Sequence, residues 1–153
     1  IDVRSAVQML EACIAAFPSC DGAVCCAAVA DYAPSVCADH KIKRDKAEEM
    51  TLTLRRNPDI AAALGRMKKP TQTVVGFALE TDNERQNASD KMRRKGFDWI
   101  ALNSLRDAGA GFGTDTNVIT LLHNDGTCIP LPLMSKTEAA RRMVEIIFQQ
   151  HLS

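Results

Sequence analysis

The 153-residue sequence has no excess of charge of either sign, no apolar run long enough to cross a bilayer, and no basic-then-apolar opening segment. Its 19 Lys and Arg balance 19 Asp and Glu. No whole-chain field therefore gathers nucleic acid or an anionic membrane, and an anionic ligand must be held by local geometry. The longest uncharged apolar run, Gly22 to Ala30, is far short of the roughly 20 residues of a spanning helix, so the expectation is a soluble, cytoplasmic protein. Six cysteines, at 13, 20, 25, 26, 37 and 128, include no C-x-x-C pair and read as core thiols. His40, His123 and His151 are scattered, and none forms a ligand pair with a neighbouring cysteine, which argues against zinc. No Ser-His-Asp arrangement can be argued. Gly109-Ala110-Gly111-Phe112-Gly113 lacks the G-x-G-x-x-G spacing and precedes a strand, so it reads as a turn rather than a nucleotide loop.

What is present is the balance of one globular domain over 1–153, 46% hydrophobic and 25% charged. Val3, Ala6, Val7, Met9, Leu10, Cys13, Ile14 and Phe17 recur at helical spacing and predict one buried stripe, ended by Pro18 and the turn to Gly22. Ala23 to Ala30, flanked by breakers, reads as a strand buried on both faces, with Asp31 at its carboxyl end, where open α/β sheets bind ligands. Tyr32 to Met50 is a charged surface excursion with at most one short strand, and Thr51 to Arg56 alternates as a half-exposed one. Asn57-Pro58-Asp59 combines an N-cap residue, a proline at the first helical position and a first-turn carboxylate. The helix is expected from Pro58 to Leu64, stopped by Gly65.

Thr71 to Thr81 and Asp98 to Asn103 read as further buried strands, separated by a polar helix that Asp82 or Asn83 caps and Gly96 ends. Asn117 to His123 and Thr127 to Leu133 flank an Asp-Gly turn, a hairpin signature. Ser135-x-x-Glu138 is a capping box for a last helix whose stripe is Ala139, Met143, Val144, Ile147 and Phe148. The order predicts an α/β, Rossmann-like three-layer sandwich, doubly wound, with a mostly parallel sheet plus a β-hairpin excursion. Nothing before the first helix supplies the strand and glycine-rich turn that open such folds, and a chain starting Ile1-Asp2-Val3 reads as a piece of a longer polypeptide, incomplete at its amino terminus.

Three cationic or helix-start features stand out. Lys41-Ile42-Lys43-Arg44 is either a solvated face or, in extended backbone, a pair of lysines on one side able to neutralise a polyphosphate or an oxyanion. Asn57 to Ile60 is a helix start that also offers backbone N–H groups to an anion. Lys91 and Lys95, four apart on a helix, share one face that is either a solvated stripe or an anion contact.

The order of A-A-V-A-D-Y at 27–32, K-I-K-R at 41–44, N-P-D-I at 57–60, V-G-F-A-L-E-T at 75–81, K-M-R-R-K-G at 91–96 and N-S-L-R-D-A-G-A-G-F-G-T-D-T-N at 103–117 resembles phosphopantothenoylcysteine synthetase. That family is the carboxyl-terminal half of the bacterial bifunctional coenzyme A biosynthesis protein. The resemblance covers nearly the whole chain and implies a CTP- and Mg2+-dependent ligase, a homodimer, that joins 4′-phosphopantothenate to cysteine through an acyl-cytidylate. It implies a nucleotide site of Ala27, Asp31, Lys41, Asn57, Pro58, Asp59, Ile60, Phe77, Lys91 and Lys95, with Asp31 toward the nucleotide or its metal and Lys41 catalytic in transfer to cysteine. FMN belongs only to a fused or associated decarboxylase half outside this chain. Arg44 stands where the family usually has lysine, and the family's asparagine that holds the acyl-cytidylate lies before Ile1. Two other functions remain open: a dinucleotide-dependent oxidoreductase of similar architecture, and a non-catalytic dimerisation fragment of the same family.

Overall fold

A computed structural model describes residues 1–43, 49–80, 83–104 and 114–148. Arg44, Thr81, Asp82, the Gly109 to Gly113 turn and His151 lie outside the described residues. The elements are α1 (Ala6–Ala16), a 3-10 turn (Phe17–Ser19), β1 (Gly22–Cys25), β2 (Tyr32–Pro34), β3 (Leu54–Arg56), α2 (Ile60–Met67), β4 (Thr73–Glu80), α3 (Glu84–Lys95), β5 (Trp99–Ser104), β6 (Thr116–His123), β7 (Cys128–Ser135) and α4 (Lys136–Phe148).

Alternation along β4 and β5 sorts the core into two layers. Val74, Ala78, Ile100 and Leu102 point to one face and pack with Ile60 and Leu64 of α2, Ala88 and Met92 of α3, and Phe17 and Phe97. Val75, Trp99 and Ala101 point to the other face and pack with Ile119, Leu121 and Leu131 and with Ala139, Met143 and Ile147 of α4. The result is the expected α/β three-layer arrangement. Its five-stranded sheet runs β1-β4-β5-β6-β7, and the β1–β4 and β4–β5 pairs are parallel. The β5–β6 and β6–β7 pairs are antiparallel, the latter being the expected hairpin, turned at Gly126 with φ 96°. A separate antiparallel pair, β2 with β3, forms an arm outside the sheet.

Strand order corrects the doubly wound expectation: β1, β4 and β5 follow one another in a single direction, so crossovers of one hand lay α2 and α3 on the same face. The other face is covered by α4. The Ala23 to Ala30 strand is also corrected. Pairing stops at Cys25 opposite Gly76, and among the described residues β1 is an edge strand, with Val24 45% exposed. With one neighbour instead of two, an apolar run need not be buried, and Ala27 to Ala30 leave the sheet as exposed chain. Strand β3 keeps only Leu54–Arg56, all exposed, because β2 pairs with those three residues alone.

Helix α2 starts at Ile60 rather than Pro58 and continues through Gly65 to Met67. Gly65 is not its stop. A Cβ there would lie 1.9 Å from the Lys95 carbonyl oxygen, so glycine lets α2 touch the end of α3. Gly96 does end α3, with φ 70° and its N–H donated to the Met92 carbonyl. Asn83 precedes α3 in the left-handed region and makes no side-chain cap. Ser135 caps α4, accepting from the Glu138 N–H at 3.2 Å, but Val144 is exposed and falls outside the buried stripe. Val3 ahead of α1, and Val7 and Ile14 along it, are likewise exposed. The cysteines are free, and Cys20 after the 3-10 turn, Cys26 just past β1, Cys37 in the arm and Cys128 at the start of β7 are exposed rather than core thiols. His123 stacks on Trp99 at 4.4 Å and pairs with Asp125 at 2.9 Å, which is a packing role.

Candidate nucleotide site

Beyond the carboxyl end of β1 the chain crosses the start of α2, and α1 and α3 close the sides of the cavity between them. This cavity, of about 320 Å3, is within the range of small-ligand sites. Its lining brings together Ala27, Asp31, Asn57, Pro58, Asp59, Ile60, Phe77, Lys91 and Lys95, from segments far apart in sequence. Met9, Cys13, Cys25, Cys26 and Arg56 line it as well. These were not singled out from the sequence; Arg56, directly ahead of the N-P-D-I motif, carried the clearest missed signal.

Asp59, Lys95, Lys91 and Asn57 each have a defined partner. The residue that caps α2 is Asp59 rather than Asn57: its Oδ1 accepts the Ala62 N–H at 3.0 Å, and its carboxylate meets the Lys95 ammonium at 3.1 Å. Partial burial pushes the Asp59 carboxyl up, but the Ala62 N–H, the Lys95 hydrogen bond and charge, and Arg66 together hold it below its ordinary value. A bare helix start attracts an external anion, whereas here the protein's own carboxylate takes part of that field and a lysine balances it. Lys91 donates to the Phe77 carbonyl at 2.7 Å, so this lysine is held against the end of β4. Lys91 and Lys95 are therefore anchored cations at a cavity wall and not a solvated stripe.

Asn57 spends its side-chain Nδ2 on the Ala30 carbonyl at 2.9 Å and its backbone N–H on the Asp31 carbonyl at 2.8 Å. Cys25 is pushed up to about 11 by burial and then by the neighbouring Cys13 and Cys26 thiols, with Asp59 adding and Lys95 opposing, so it is a neutral thiol at physiological pH. Asp31 is exposed at the rim. Lys41, by contrast, is exposed beyond β2 and does not line the cavity; the arm carries it away from the other residues. Among the described residues no three His, Cys, Asp or Glu side chains converge as a metal site, and no helix is long and apolar enough to cross a membrane.

The profile of the DNA/pantothenate metabolism flavoprotein C-terminal domain family matches residues 1–151. A protein named cysteine/cysteine sulfinic acid decarboxylase, from an unknown prokaryotic organism, is 51% identical over 96% of this chain and 41% of its own length. The coenzyme A biosynthesis bifunctional protein CoaBC of Bacillus subtilis is 40% identical over 96% of this chain and 36% of its own. The chain thus spans about two fifths of these curated relatives. The crystal structure of the C-terminal domain of a CoaBC protein superposes with a TM-score of 0.75 at 37% identity, covering 98% of this chain and 66% of that one. A flavoprotein structure from Streptococcus pneumoniae shares the fold, with a TM-score of 0.72 at 18% identity, over 99% of this chain and 72% of that one.

Proposed function

Because this chain belongs to the DNA/pantothenate metabolism flavoprotein C-terminal domain family and is homologous to the synthetase part of CoaBC, we propose that it is a CTP-dependent phosphopantothenate–cysteine ligase. The observation that carries the reading is the convergence of the carried-over residues, Lys41 apart, on one cavity with two anchored lysines. In the first step a carboxylate oxygen of 4′-phosphopantothenate attacks the α-phosphorus of CTP and the bond to the β-phosphate breaks, releasing pyrophosphate. In the second the cysteine amine attacks the acyl carbon, the bond to cytidylate breaks, CMP leaves and the nitrogen sheds its proton to solvent.

Lys91 and Lys95 bind the β- and γ-phosphates, where fixed cations oppose the charge that builds on the leaving pyrophosphate. The Phe77 carbonyl and Asp59 aim those two ammonium groups. Ala27 to Asp31 and Asn57 to Ile60 form opposite walls around the nucleotide. A nucleotide-borne Mg2+ needs one or two carboxylates besides phosphate oxygens, and Asp31 fits that demand better than Asp59, whose carboxylate is already engaged. Bound there, the ion would supply charge neutralisation at the phosphates.

Lys41 takes part in the second step only when an arm brings it over the acyl carbon. A homodimer supplies that arm from a second copy, and the apolar side chains exposed on and beside it, Tyr32, Ile42, Met50, Leu52 and Leu54, suit such burial. The cytoplasmic setting and the association with a flavin-dependent, FMN-bearing decarboxylase half belong to the same proposal, since the relatives named CoaBC are bifunctional and much longer.

The test is a full-length protein assay with CTP, Mg2+, 4′-phosphopantothenate and cysteine. The expected products are phosphopantothenoylcysteine, CMP and pyrophosphate, with ATP a poorer donor and with Lys41→Gln accumulating acyl-cytidylate. ATP equal to CTP, or no ligation, refutes the reading. The 51% identity to a protein named a cysteine decarboxylase favours a second reading, in which the whole protein acts on cysteine alone. Release of CO2 from cysteine without CTP would select it.

A further inference from the structure

Asn57 occupies a junction that the motif reading alone does not explain. The arm's ladder ends with Tyr32 opposite Arg56, and the next rung is the Asn57 N–H donated to the Asp31 carbonyl at 2.8 Å. One residue further on, the Asn57 Nδ2 donates to the Ala30 carbonyl at 2.9 Å. Two hydrogen bonds from one residue thus tie the exposed chain after β1 to the start of α2 across 26 and 27 positions. That chain carries Ala27 and Asp31, and the residues after Asn57 include Asp59, which caps α2 and holds Lys95.

We propose that Asn57 is a positioning residue of the cavity: it clamps the Ala27 to Asp31 wall against the α2 wall, and it is not itself a ligand of the nucleotide phosphates. The chemistry of the side chain supports this. One N–H of its amide nitrogen is held on a backbone carbonyl, and of the side chains of similar shape only an amide can make that bond; a carboxylate at 57 would set two acceptors against each other. The backbone rung needs only an N–H, so the amide specifies the second bond. Holding the two walls together beyond the end of the β2–β3 pair also reduces the ordering cost that the nucleotide would otherwise meet on binding.

The inference rests on the nucleotide reading for its binding arm, and a ligand-free arm keeps the two separable. In the full-length protein, calorimetric titrations with CTP and with CMP are compared for wild type, Asn57→Ala and Asn57→Asp, each first checked for a cooperative thermal transition. Hydrogen exchange is followed at the amide of residue 57 without nucleotide. A clamp predicts that both variants weaken CTP and CMP by the same factor, about tenfold, equivalent to about 1.4 kcal/mol. It also predicts faster exchange of the residue 57 amide, while the core amides of β4 keep their protection.

A loss confined to CTP, with CMP changed less than twofold, makes Asn57 a phosphate ligand and overturns the proposal. Unchanged exchange at residue 57 in folded variants overturns it as well. If wild type binds neither nucleotide, the ligase reading falls on its own, and the exchange result alone decides the clamp.

Discussion

Gly65→Ala separates two views of the same residue. In the interior of an exposed helix alanine is favoured over glycine by about 0.5–1 kcal/mol, so a Gly65 that merely ends or loosens α2 should gain stability on substitution. The structure predicts the opposite sign. A Cβ at 65 would sit 1.9 Å from the Lys95 carbonyl oxygen and 3.0 Å from its carbon, and both are backbone atoms that cannot rotate away. The helices must part by about 1 Å before the closest contact becomes tolerable. Overpacking of this kind costs typically 1–3 kcal/mol, which set against the helix gain leaves a net loss of up to about 2.5 kcal/mol. For a chain of this size that lowers the melting temperature by up to about 10 °C.

Because Lys95 is the displaced residue, its contact with Asp59 should loosen and CTP affinity should fall with stability. The assay is thermal and urea unfolding of Gly65→Ala beside Gly126→Ala. Gly126 has positive φ but nothing within 4 Å of a new Cβ, so it reports backbone strain without a clash. A Gly65→Ala protein as stable as wild type would refute the close-contact argument and restore the helix-stop reading.

Lys91→Ala should weaken CTP binding by roughly 1–3 kcal/mol, the cost of a charge-assisted bond, and CMP much less; calorimetry showing equal losses would move this lysine away from the terminal phosphates. Asp59→Ala should destabilise the fold by about 0.5–2 kcal/mol through loss of the α2 cap, measured by urea unfolding at pH 7. The Asp59 carboxyl is held below its ordinary value in the folded state, so its contribution is complete above the unfolded carboxyl range and lost as pH falls through the folded value. The stability difference between wild type and the alanine variant should therefore shrink on acidification below about pH 4 and stay constant between pH 6 and 7.

Local sequence signals were enough to set element type. The apolar runs read as buried strands over 71–81 and 98–103, the Asp-Gly turn at 125–126 and the Ser135 capping box became β4, β5, the β6–β7 hairpin and α4. These signals depend on near neighbours, which a sequence displays directly. The candidate site was legible as a set of motifs but not as a geometry.

Tertiary structure decided whatever turns on who packs against whom. Ala23 to Ala30 has the composition of a buried strand, yet among the described residues β1 has one neighbour in the sheet and its carboxyl continuation is exposed. Gly65 has the look of a helix stop until the end of α3 arrives against it. Asn57 and Asp59 both suit an N-cap; the fold gave the cap to Asp59 because Lys95 balances that carboxylate, and set the Asn57 amide on a carbonyl 27 positions away. Lys91 and Lys95 are four apart on any helix, but only the Phe77 carbonyl and the Asp59 carboxylate, supplied by distant segments, make them anchored cations at a cavity. Lys41 shares their charge and the same chain, and the arm alone keeps it outside. Spacing along the chain carries periodicity and capping, while charge partners, close approaches and cavity walls arise only when segments remote in sequence meet.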